Sequence, residues 1–171
     1  MRLIGMLLGV ALPIAGPALA TDKTSPDFLR HKHAGTASFT STEPVRDLFP
    51  KLLRASEECW VGEVKPGAGT GSLGGAIGTM SSASRIVLGE LSGDGQSAYV
   101  LVRVKGMFGA LQSNFLQIDL AGAMDGSHLD VYYKNNVKGQ KQFVGQVEHW
   151  LNGELNYCDP DPLIRKTTNG G

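Results

Sequence analysis

Apolar residues along this chain recur at two spacings, and the change from one to the other predicts its elements. Val45, Leu48, Phe49, Leu52 and Leu53 fall at i, i+3, i+4, i+7 and i+8, one stripe of a helix. Ser41 or Thr42 is the expected N-cap, with Glu43 and Pro44 in the first turn. Pro50 lacks a backbone donor, so it should kink this helix or divide it. Beyond it the spacing falls to two. CWVGEVK (59–65) reads as a short strand with Trp60 and Val64 on one face. SRIVLGEL (84–91) and SAYVLVRVKGMF (97–108) are joined by SGDGQ, whose glycines supply the positive φ of a hairpin. In the second strand Val100, Val102 and Val104 alternate with Leu101, Arg103 and Lys105, so one face is buried and the other at least partly wet. NFLQIDLAG (114–122) sets Leu116, Ile118 and Leu120 inward against Gln117 and Asp119 outward. Asp125-Gly126 then turns the chain into SHLDVYYKNN, where Leu129, Val131 and Tyr133 share a face. Helical spacing returns in Phe143, Val147, Trp150 and Leu151, with Gln142, Gln146, His149 and Gly153 on the opposite side, and DPDP at 159–162 stops the helix.

Two stretches at the start fit neither pattern. Residues 1–20 combine Arg2, an apolar run from Leu3 to Ile14 and an Ala18-Leu19-Ala20 ending, the form of a signal peptide cleaved after Ala20. The run is shorter than a bilayer span. The expected product is periplasmic or secreted, with no integral membrane segment after cleavage. Residues 21–40 lack apolar periodicity and read as a mobile leader, so 41–171 forms one domain containing a glycine-rich loop at 66–83. About 150 residues remain after cleavage, enough for a single core.

In an oxidising compartment two cysteines predict one bridge, here Cys59 to Cys158. It would clamp the end of the first helix to the chain just beyond the last. Lys and Arg total 16, as do Asp and Glu, so no overall field favours nucleic acid.

The order helix, about five mainly antiparallel strands, helix gives an α+β class, a curved sheet with an N-terminal and a C-terminal helix on one face. Over most of 42–158 this element order resembles the helix-grip or TBP-like folds, and no motif is matched residue by residue. The resemblance implies lipid or steroid binding, envelope assembly or scaffolding.

Candidate chemistry is sparse. GTGSLG (69–74) matches a dinucleotide turn in letters, but GAIGTMSSAS follows it where a helix is required, and no GK[ST] exists, so no nucleotide cofactor is expected. GxSxG, HExxH and SxxK are absent, and the reading is non-catalytic. His128 and Asp130 share a strand face, and His149 follows Glu148 on the last helix, where neighbours in sequence diverge. His31 and His33 lie in the leader with Lys32 between them, which opposes a cation, so no metal is expected. The sharper feature is KGMFGALQSNF (105–115), with apolar Met107, Phe108 and Leu111 where a hairpin tip is normally polar. The reading is therefore an exported envelope protein that binds or assembles another protein through that tip and the open sheet face. The alternative is a carrier holding a lipid or other apolar ligand between the sheet and the C-terminal helix.

Overall fold

The computed structural model describes residues 24–33, 35–64, 83–106, 112–134, 140–159 and 164–165. Its elements are α1 (Asp27–Lys32), β1 (Gly35–Ser41), α2 (Val45–Trp60), β2 (Gly62–Val64), β3 (Ala83–Leu91), β4 (Ser97–Lys105), β5 (Gln112–Ala123), β6 (Gly126–Tyr133), α3 (Gln140–Leu151) and β7 (Ile164–Arg165). The strands form one antiparallel sheet in the order β1-β6-β5-β4-β3-β2-β7. This is the expected α+β class, a curved sheet with α2 and α3 on one face, but with seven strands among the described residues where about five were expected.

The inner face is built as the alternation dictates. Val100 and Val102 of β4, Leu116, Ile118 and Leu120 of β5, and Leu129 and Val131 of β6 are buried against Val45, Leu48, Phe49 and Leu52 of α2. Phe143, Val147 and Trp150 of α3 close the same cluster. The β4–β5 register shifts at Val102/Arg103, so Phe115 is an extra residue on β5. Such a bulge bends its strand. Phe115 and the next residue, Leu116, both belong to the inner cluster.

Four expectations are corrected. Pro50 does not divide α2, which is one helix of 16 residues. Pro50 and Arg46, whose carbonyl loses its i+4 donor, are both exposed, so water can satisfy that oxygen. The cap also shifts: Pro44 occupies the N-cap position, and the Ser41 hydroxyl instead accepts from the Glu43 N–H at 3.1 Å. Cys59 and Trp60 belong to the last turn of α2, and only Gly62–Val64 is strand, because burying Trp60 keeps the helix going to its end.

The largest correction concerns 21–40. The part expected as a mobile leader holds α1 and all but the last residue of β1, which pairs antiparallel with β6 from Gly35↔Tyr133 to Ser41↔Ser127. A strand whose one large apolar residue is Phe39, among glycine, alanine, serine and threonine, carries little hydrophobic periodicity, and pairing with a neighbour supplies what the pattern lacks. Residues 66–82 and the tip residues Met107, Phe108 and Leu111 lie outside the described residues, as does 1–20.

Cys59 and Cys158 are joined, with Cα atoms 5.3 Å apart. The bridge ties the end of α2 to the segment after α3, as the spacing predicted.

Candidate functional site

The space between sheet and helices is filled around the bridge. The Trp60 ring lies 4.7 Å from Trp150 and, edge-on, 5.3 Å from Phe143, which meets Phe115 edge-on at 5.4 Å. Both indole N–H groups are paired: Trp60 Nε1 donates to Gln146 Oε1 at 2.7 Å, and Trp150 Nε1 to the Tyr157 carbonyl at 2.9 Å. Arg85 of β3 is buried on this face, its guanidinium carbon 4.9 Å from the Phe115 ring centre and 5.3 Å from that of Phe143. Gln146, assigned by spacing to the polar side of α3, is therefore an interior residue. Neither Arg85 nor Gln146 stood out in the sequence. The parity that places Arg85 with inward Val87 and Gly89 was its only signal.

The outer face is partly covered. Leu29 and Phe28 of α1 are buried on Leu101, with Tyr99 and Tyr132 alongside. Leu101, read as sitting on the wet side, is thus buried, and so is Gln117. Arg30 grips Asp119 through two nitrogens, Nε at 2.5 Å and Nη2 at 3.1 Å, and this paired carboxylate pushes the guanidinium pKa up. Asn114 donates to the Ser25 carbonyl at 2.7 Å and accepts from Arg103 at 3.0 Å. Burial raises the Tyr99 and Tyr132 phenols above their ordinary value, Tyr99 further through Glu90 and Tyr132 through Asp130.

What α1 leaves open lies toward β3. Register places Ile86 beside Arg103, Leu88 beside Leu101 and Glu90 beside Tyr99. Leu88 is 37% exposed on this face, and the Tyr99 hydroxyl donates to Glu90 at 3.0 Å. Gly89 faces inward, where a Cβ would press on Leu53 and Phe49, so α2 packs close behind this strand.

A second feature is a cleft of about 520 Å³ where β1 and β6 meet the C-terminal end of α3, lined by Phe39 and Leu151 with Ser38, Thr40, His128 and Glu148. Beside it His128 Nε2 lies 3.3 Å from Asp130, and the Ser38 hydroxyl donates to the same carboxylate at 2.6 Å. The carboxylate sits between serine and histidine. A hydrolytic triad needs the imidazole in that place. His149 pairs with Glu154 at 2.8 Å and stacks on Tyr157. His33 packs on Tyr132, and among the described residues no three His, Cys, Asp or Glu converge as metal ligands. Among these residues no helix is long and apolar enough to cross a membrane.

No protein-family model matches the chain. No curated protein matches it. Among solved structures it is similar to DynU16, a protein in the dynemicin biosynthetic locus, at 11% identity over 71% of this chain and TM-score 0.33. It is similar to MLL2253 from Mesorhizobium loti at 13% identity, over 71% of this chain and 93% of that one, with TM-score 0.34. For Ara h 8.0201 the values are 14% identity, 71% and 96% coverage, and 0.29. The match spans 45% of the length of DynU16. At these scores none of the three bears on the site.

Proposed function

We propose that this chain is an exported, non-catalytic binding module that engages a partner protein with the surface of its sheet. Export follows from the signal-like residues 1–20 and agrees with the Cys59–Cys158 bridge, which an oxidising compartment maintains. One observation carries the rest. The inner face is occupied by Trp60, Phe143, Trp150 and Gln146, while Leu88 stays exposed on the outer face of β3. A carrier of a bulky apolar ligand needs an enclosed volume in that inner region, and a binding module needs an exposed apolar patch. The order of Ser38, Asp130 and His128 supports the non-catalytic reading.

Affinity-tagged protein, cross-linked in its own host and purified from the envelope fraction, tests this. A discrete partner, depleted several-fold by Leu88→Lys, is the expected result. Recovery in the cytoplasm, or a partner profile identical for wild type and variant, counts against it. The carrier reading has one observation in its favour, the cleft with Phe39 and Leu151 as its apolar floor between sheet and α3. A lipid mass retained in native mass spectrometry of host-purified protein would replace the first reading with the second.

A further inference from the structure

We propose that the outer face under α1 is a docking site for a partner segment in which apolar residues precede an arginine, and that α1 fills this site in cis until the partner takes its place; this rests on the protein-binding reading above. α1 is itself such a segment. Phe28 and Leu29 are buried on Leu101, and the next residue, Arg30, holds Asp119 through two nitrogens. The chain entering the helix is gripped through its backbone, with Asn114 donating to the Ser25 carbonyl and Arg103 to that of Thr24. These two bonds read no side chain, so Phe28, Leu29 and Arg30 carry the recognition.

The sheet keeps a demand for that arginine when α1 is gone. Asp119 stands directly opposite Asp130 in the β5 to β6 ladder. Facing like charges destabilise a sheet. Asp130 is attended by the Ser38 hydroxyl at 2.6 Å and by His128 at 3.3 Å, whereas Asp119 relies on Arg30 and on the Gln117 amide at 2.6 Å. The Oε1 of Gln117 is buried with no donor among the described residues, so α1 satisfies this face incompletely. Carboxylate and amide oxygens only accept. They suit a guanidinium, whose five N–H groups can reach several of them at once.

α1 is built to be exchanged. Six residues do not hold a helix by themselves, and its N-cap residue, Pro26, makes no side-chain capping bond. On leaving, it uncovers Leu101, which the β3 to β4 register sets beside exposed Leu88. A partner segment that brings its own apolar residues and arginine therefore repeats the contacts of α1 and adds Leu88, the residue on which the protein-binding reading stands. That addition offsets the advantage α1 has as a tethered ligand.

The test uses the intact protein, a synthetic peptide of residues 24–33 and backbone amide NMR. Leu29→Ala or, should that variant not fold, Arg30→Ala releases α1. The released protein should bind the peptide with shifts at the amides of Leu101, Gln117 and Asp119. Wild type, whose site is filled in cis, should bind it about tenfold more weakly. A peptide carrying Arg30→Gln should bind the released protein about tenfold more weakly than the unaltered peptide. No binding to the released protein, shifts elsewhere, equal binding of the two peptides, or equal affinity of released and wild-type protein overturns the proposal. Unfolding of both variants also overturns it, because α1 would then be indispensable to the fold. A dimer of the unaltered protein that grows with concentration and is abolished by Arg30→Gln makes a second copy the occupant and overturns the partner assignment. A Leu88-dependent partner beside a peptide that fails defeats the exchange alone. Peptide binding beside a failed partner capture defeats the wider reading and leaves the chemistry of the site standing.

Discussion

Trp60 is held by aromatic rings on two sides and by one polar contact, and Gln146 supplies the latter. Replacing Gln146 with leucine keeps much of the volume but leaves a buried indole N–H without its acceptor. The expected cost is about 1–3 kcal/mol, read as a lower urea midpoint. An unchanged midpoint would mean that the pair adds nothing to stability. Gly126 is constrained differently, because its φ of +138° disfavours any L side chain and a Cβ would overlap the Ser41 carbonyl oxygen. Gly126→Ala should destabilise by more than the ~1 kcal/mol of an ordinary Gly-to-Ala change, and denaturation of the variant checks this. The phenols give a pH dependence. Tyr99 and Tyr132 have folded pKa values raised first of all by burial, so the unfolded chain loses these protons at lower pH. Their contribution is present below the ordinary tyrosine pKa of about 10 and is lost as pH rises through the folded values. Ultraviolet titration should show both ionising late, with stability falling over the same range. Ordinary midpoints for all tyrosines would contradict that.

At the scale of elements α1 is the informative case. Asp27–Lys32 is too short to be stable alone, and contact with the sheet holds it in place. Leu29 is fully buried and Arg30 is anchored on Asp119. Leu29→Ala should free this helix and leave the sheet intact. In hydrogen exchange the amides of 27–32 should then lose protection while those of β5 keep it. A global loss of protection would show that α1 is part of the main cooperative unit. Amphipathic spacing made α2, α3 and the β3 to β6 meander legible, since each buries a stripe or an alternating face. The α1–β1 segment was illegible for the opposite reason. Its large apolar residues are Phe28, Leu29 and Phe39, too few to show a period, and its order comes from a partner face distant in sequence.

For the molecule as a whole, the bridge is the longest covalent constraint. Cys59 and Cys158 are 99 residues apart, and closing such a loop is worth roughly 4.7 kcal/mol in the chain-entropy model. A Cys59→Ser, Cys158→Ser double variant should therefore unfold at a clearly lower denaturant concentration, by about 2–5 kcal/mol. Equal stability of oxidised and variant protein would show that the unfolded chain is little constrained by it.

By itself the sequence determined the α+β class, the meander and the pairing of the two cysteines, because periodicity, turn residues and a count of two are local or combinatorial facts. The tertiary structure alone decided that Gln146 and Arg85 turn inward, that α1 covers Leu101, and that β1 pairs with β6. Those outcomes depend on which face meets which across long sequence separations. Burial, register and strand order exist only once the chain has packed.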